Sequence, residues 1–132
     1  MNFRKFKTKS GKLVLAGRDA ETNEELIKQA GKDEIVLHTK APGSPFVNIK
    51  AEGTSNKISK KDIHETAIFC AKYSQAWKKP KSKSDKIEVH YFLGKNIFKT
   101  PGMKLGTFLV KKFKRIIVKK EEIIRFEEKK EK

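Results

Sequence analysis

Apolar positions along this chain recur in two rhythms, and the changes of rhythm mark its elements. FRKFKTKSGKLVLAG, residues 3–17, reads as two short strands around Ser10-Gly11, a turn signal. RDAETNEELIKQAG (18–31) shifts to the helical repeat. Asp19 or Thr22 is placed to cap that helix, Thr22 with Glu25 fits a capping box, and Gly31 stands where a C-terminal cap belongs. EIVLHT and PFVNIKA return to the strand rhythm; in the first, Ile35 and Leu37 share one face, Val36 and His38 the other. After the polar loop EGTSNK, Ser59 caps a second helix, with Asp62 at the capping-box position. Its face of Ile63, Ala67, Cys70, Ala71 and Ser74 is built of small side chains suited to lying close on a sheet, and it is expected to end near Trp77. KKPKSKSDK is a solvated linker. IEVHYFL alternates, with Ile87, Val89, Tyr91 and Leu93 inward and Glu88, His90 and Phe92 outward. GTFLVKKF and RIIVKK are expected to form a closing hairpin, and EEIIRFEEKKEK to start ordered and fray.

Together these elements predict an α+β domain: a mainly antiparallel sheet of six or seven short strands with two principal helices packed on one face. The expected organisation is a single domain over residues 1–120 and a charged C-terminal tail over 121–132. A chain of 132 residues, 36% hydrophobic and with nine Phe, can bury a modest core. No apolar run approaches the ~18–20 residues of a membrane helix, and MNFRKFKTKSGK has no apolar signal region. One cysteine, Cys70, excludes an internal disulfide and a cysteine-rich zinc site. The expected setting is cytoplasmic, without a membrane partner.

Charge changes the picture more than composition does. There are 32 Lys and Arg against 16 Asp and Glu, net +16. Residues 78–120 alone carry fourteen basic side chains and two acidic ones, Asp85 and Glu88, interleaved with Tyr91, Phe92, Phe98, Phe108 and Phe113. A +12 block set among aromatics suits a polyanion such as nucleic acid. The alternative is lysine used for solubility, or for stability at high temperature.

Candidate chemistry is sparse. Gly17 lets the chain turn off a strand, and Arg18 stands at the positive end of the following helix, where its fork and the first N–H groups form a candidate phosphate site. Alternatively, Arg18 pairs with Glu21 or Asp19. His38 either hydrogen-bonds a loop carbonyl or forms a polar site with Gly43, Ser44 and Arg18. His64 is expected to face solvent, and His90 is placed to stack on a base. The three histidines lack metal-ligand spacing, and neither metal nor cofactor is expected. Cys70 reads as a packing residue rather than a nucleophile. There is no P-loop, deaminase or paired-carboxylate motif, and APGSPF around Ser44 is not a nucleophile elbow.

In order along the chain, Gly17-Arg18-Asp19 with Asn23 and Leu26, the strand ending at His38 with Gly43-Ser44, the helix ETAIFCAKYSQAWK with Tyr73-Ser74, and Lys99, Pro101, Gly102 and Gly106 before the last strands resemble the NFACT-R domain over roughly residues 10–120. Ala16 and Pro45 depart from its pattern, and Pro45 has no backbone N–H to offer. The resemblance implies an RNA-binding module. In the large NFACT proteins of ribosome quality control, such as RqcH, it implies a clamp on tRNA beside the large ribosomal subunit. The other NFACT parts do not fit in 132 residues, so the resemblance is to a stand-alone NFACT-R protein, with a separate protein partner supplying them. The implied RNA site comprises Gly17, Arg18, Asn23, His38, Gly43 and Ser44. Lys99, Lys104, Lys111, Lys112, Lys114 and Arg115 are candidates for the RNA backbone. Two alternatives remain open at this point. One is an RNA-processing or tRNA-modification enzyme or accessory subunit, with His38 as acid or base, Arg18 holding charge and Ser44 in its centre. The other is a protein-interaction scaffold on the ribosome.

Overall fold

The computed structural model describes residues 2–41, 44–51, 57–78 and 85–130. Strands β1 (Arg4–Lys7) and β2 (Leu13–Ala16) form the expected hairpin, turned by Gly11 at φ +93°, a conformation L side chains rarely adopt. Helix α1 (Ala20–Gln29) follows. Its capping box is Asp19 with Thr22, not Thr22 with Glu25: Thr22 N–H donates to Asp19 Oδ1 at 2.8 Å, and Asp19 N–H donates to Thr22 Oγ1 at 2.9 Å. Both side chains are short enough to close that ring, so the helix starts three residues earlier than the alternative cap would allow. Gly31 is not its left-handed cap either. Ala30 ends the helix in extended conformation, and the Gly31 N–H instead donates to Glu34 Oε1 at 2.8 Å.

Strands β3 (Ile35–Thr39) and β4 (Val47–Ile49) lead to helix α2 (Lys60–Lys72), capped by Ser59 and Asp62 as expected. The helix does not run to Trp77. The Ser74 hydroxyl donates to the Ala71 carbonyl at 2.6 Å and accepts from Trp77 N–H at 3.3 Å, which breaks the ladder and starts a separate turn, α3 (Gln75–Lys78). Residues 52–56 of the loop EGTSNK and 79–84 of the linker KKPKSKSDK lie outside the described residues. Then come β5 (Lys86–Leu93), a 3₁₀ turn (Gly94–Asn96), β6 (Ile97–Phe98), β7 (Leu109–Val110), β8 (Lys114–Lys119) and α4 (Lys120–Lys130).

Six strands make one sheet in the order β1-β2-β4-β3-β5-β8, every neighbouring pair antiparallel. The two helices sharing one face are α2 and α4; α1 lies on the other. On the α2–α4 side Val14, Leu37, Val47, Val89 and Val118 meet Ala67, Phe69, Cys70 and Ile123. The small residues of α2 let it approach closely, as their spacing implied. On the α1 side Val36, Phe46, Phe92 and Ile97 meet Leu26. Phe92 therefore points away from α2 yet is buried, because α1 covers it. α1 is tied down by a polar contact too: Gln29 Nε2 donates to the fully buried Asn48 Oδ1 at 2.8 Å.

The last strands do not form a hairpin. β7 pairs with β6 in a separate two-stranded ribbon, while β8 pairs with β5 at the sheet edge. Only beside β5 can Val118 bury itself against Ile123 of α4. That buried Ile123 explains why the chain stays helical to Lys130 through a segment rich in charge. His64, expected to face solvent, is only partly exposed and pairs with Glu122 of α4. Among the described residues no helix is long and apolar enough to cross a membrane.

Candidate nucleic-acid interface

The end of β2 and the start of α1 are built around one contact. The Gly17 N–H donates to the Phe46 carbonyl at 3.0 Å, and the Phe46 N–H donates to Asn23 Oδ1 at 3.1 Å. The Asn23 side chain lies so close to Gly17 that a Cβ there would come within 1.9 Å of Oδ1. Glycine is required at position 17 for this close approach. The pair Gly17–Asn23 holds both backbone groups of Phe46 and so fixes the β3–β4 connection against α1.

His38, at the end of β3, closes that connection from the other side. Its Nδ1–H donates to the Thr39 carbonyl at 2.7 Å, and its ring stacks on Phe46 with centroids 4.2 Å apart. Burial pushes the imidazole pKa down to about 4, against the opposing pull of the Thr39 and Ser44 carbonyls, so the ring is neutral at pH 7. Ser44 is buried; its Oγ accepts from Thr39 N–H at 3.1 Å and donates to the Pro45 carbonyl at 3.3 Å. These contacts match the loop-carbonyl alternative for His38. Gly43 lies outside the described residues. Cys70 is fully buried with its thiol pushed up to about 12 by desolvation, as a packing residue should be.

These elements line a cleft of about 700 Å³. Its floor carries the ring pair His38–Phe46. One wall is the first turn of α1 with Gly17, Arg18 and Asn23; the facing wall is the segment Leu105–Val110 with Phe113. At the rim, Arg4 from β1 lies over the Tyr73 ring at 4.4 Å, and Lys78 lies 5.9 Å from the same ring. Arg18 is exposed. It pairs with neither Asp19, whose carboxylate serves Thr22, nor Glu21, and its guanidinium has no side-chain partner among the described residues. The cleft thus joins flat rings to cations, the two kinds of group an RNA strand uses.

The structure brings Gly17, Arg18, Asn23, His38 and Ser44 together, while the basic-block candidates lie outside the cleft lining. Lys99 is engaged: its Nζ is 2.8 Å from Glu24 Oε2 and 2.9 Å from the Lys104 carbonyl. Glu24 also accepts from Gly106 N–H at 2.6 Å. Burial raises the Glu24 pKa, but Lys99 and that N–H outweigh it and hold the carboxyl below the usual range. Gly106, at φ +80°, would meet Ala20 within 2.9 Å if it carried a Cβ. Lys99, Gly106 and Glu24 therefore clasp the β6–β7 ribbon onto α1 and set the cleft's second wall. Lys111 lies over Phe98 at 5.4 Å, and Arg115 is 3.7 Å from Glu88. Lys104, Lys112 and Lys114 are exposed. Sequence reasoning gave no site role to Arg4 or Tyr73, and placed Lys78, Phe108 and Phe113 only within the basic, aromatic-rich block. Tyr73 stood in a recognised motif; Arg4 reaches it across 69 positions, a proximity that no local pattern signals.

Comparison with known proteins follows the same lines. Residues 2–112 match the NFACT protein RNA-binding domain. A stretch of 70 residues is 43% identical to the archaeal Rqc2 homologue aRqcH of Methanocaldococcus jannaschii, covering 52% of this chain and 10% of that protein. The chain thus spans about a tenth of the length of that relative. The fold is similar to the C-terminal part of the fibronectin/fibrinogen-binding protein from Streptococcus suis, with a TM-score of 0.77 and 22% identity over 95% of this chain and 49% of that one. The match over residues 2–112, on a sheet and cleft that the family's motif residues build together, places this chain in the NFACT protein RNA-binding domain family.

Proposed function

We propose that this chain is an RNA-binding module that contacts tRNA or rRNA beside the large ribosomal subunit, in ribosome quality control. The observation that carries the reading is the cleft in which Arg18, its guanidinium without a side-chain partner among the described residues, and the Arg4–Tyr73 pair line the same space as stacked rings, in a chain with a +12 stretch. Family membership and the likeness to an archaeal Rqc2 homologue support the same reading. Binding rather than chemistry is favoured because burial holds the His38 imidazole at a pKa of about 4, far below a base poised near pH 7, and the Ser44 hydroxyl is spent on closing a turn. That hydroxyl lies buried between Thr39 and Pro45, with no adjacent base to activate it as a nucleophile among the contacts it makes.

The test is a salt titration of tRNA and rRNA-fragment binding. With roughly four to seven phosphates contacted, affinity should fall about 10²–10⁴-fold between 50 and 200 mM salt. Binding that stays flat across that range would rule out the reading. Crosslinking in cells checks the setting, with large-subunit RNA or tRNA as the expected partner and protein contacts alone as the opposing result.

A further inference from the structure

Phe113 is a large aromatic side chain left 45% exposed between β7 and β8, and it lines the cleft. One face of its ring lies on the His90 imidazole, with centroids 4.1 Å apart and planes within 18°. A ring covered on one face and exposed to this extent offers its other face and edge to the cleft. His90 is held in place: its Nε2 is 2.7 Å from Glu88 Oε2, and Glu88 lies 3.7 Å from Arg115 on the neighbouring strand. The pair is therefore a flat surface preset before any ligand arrives. On the cleft floor, Phe46 is already covered, being 6% exposed. Lys112 and Lys114, on either side of Phe113 in sequence, are exposed and cationic.

A duplex keeps its base faces inside the stack and offers such a ring nothing to lie on, whereas an unpaired base offers a whole face. Resting on the RNA-binding reading above, we propose that Phe113 is a base-stacking residue and that the cleft takes an unpaired nucleobase of an RNA strand, its flanking phosphates on Lys112 and Lys114. The base lies on the free face of Phe113, and Leu105 and Leu109, 53% and 44% exposed, meet its edge.

The test titrates a short single-stranded RNA carrying one 2-aminopurine, and a blunt duplex of equal length, into the wild-type protein and into Phe113→Ala, Phe113→Leu and Phe113→Trp. Phe113→Ala should weaken single-strand binding roughly 10- to 100-fold and remove the quenching of 2-aminopurine, while leaving duplex binding within about twofold. Phe113→Leu keeps apolar bulk without a flat ring; it should lose nearly as much, and it serves if the alanine variant fails to fold. Phe113→Trp should keep both binding and quenching. If the folded Ala and Leu variants bind the single strand as the wild type does, the stacking role is overturned. It is overturned equally if single strand and duplex weaken alike, the result expected of a backbone contact or a patch for a protein partner. Wild-type protein that binds neither RNA overturns the RNA-binding reading itself. Steep salt dependence on both RNAs without a Phe113 effect overturns only the stacking role.

Discussion

Gly17 and Asn23 form a single fitting. Placing a Cβ at position 17 forces the Asn23 oxygen away, and the Phe46 N–H then loses its acceptor. Gly17→Ala should cost about 1–3 kcal/mol of folding stability, the usual cost of an unsatisfied, partly buried donor. Asn23→Ala should cost a similar amount. The double variant should cost less than the two together, because both break the same contact; denaturant unfolding of the single and double variants reads the coupling. His38 makes a different prediction. Its ring is neutral when folded down to a pKa of about 4, but protonates near the ordinary 6.5 when unfolded. The unfolded chain therefore binds more protons between those values, so the stability it contributes is complete above pH 6.5 and lost as pH falls to 4, by up to about 3 kcal/mol. His38→Gln should flatten that part of the stability–pH curve. Asp62 acts lower. Burial raises its pKa, but hydrogen bonds from Ser10, Ser59 and Thr8 outweigh it and hold the carboxyl at about 2. Its contribution is present above pH 3.8 and lost as pH falls through 2, a window separable from that of His38.

At the scale of elements, the β6–β7 ribbon makes no ladder with the main sheet; the Glu24 clasp ties it to α1, and Ile97 anchors it in the core. Glu24→Gln should raise amide exchange at Lys111, whose N–H bonds the Asn96 carbonyl, while the β3 and β5 amides stay protected. Uniform exchange across all these amides would contradict a separable ribbon. Lys99→Ala should behave like Glu24→Gln, whereas Lys112→Ala should leave exchange alone. The elements legible from sequence were those with a strong local period and a cap: the Ser59–Asp62 box and the alternation over Ile87–Leu93 both stand in the structure. Those that escaped depend on distant partners. GTFLVKKF and RIIVKK look like a hairpin by proximity, but Ile97–Phe98 competes for one and β5 for the other. The tail is expected from its charge to start ordered and fray, yet it stays helical to Lys130, because Ile123 buries itself against the α2 side of the sheet. The cleft is legible as far as its motif residues, Tyr73 among them, and illegible in how Arg4 and Phe113 reach it from distant elements.

The whole molecule carries +16, and its fold distributes that charge unequally in usefulness. Lys99 is used up inside the clasp, whereas Lys112, Lys114 and Arg18 stand free of ion pairs among the described residues. Lys112→Ala and Lys114→Ala should each lower the salt slope of RNA binding by roughly one and weaken all RNAs alike. Arg18→Ala should cost about 1–3 kcal/mol of binding and narrow the difference between preferred and non-preferred RNAs, without lowering the melting temperature. A drop in melting temperature with unchanged preference would make Arg18 a structural residue instead. The sealed thiol under α2 has a practical corollary. Since Cys70 is the chain's one cysteine and is fully buried, a cysteine installed at an exposed position beside Phe113, at Lys112 for instance, becomes the single reactive thiol of the folded protein. A dye or crosslinker then attaches at one known point. Slow modification of Cys70 itself becomes a clock for how often the whole sheet opens.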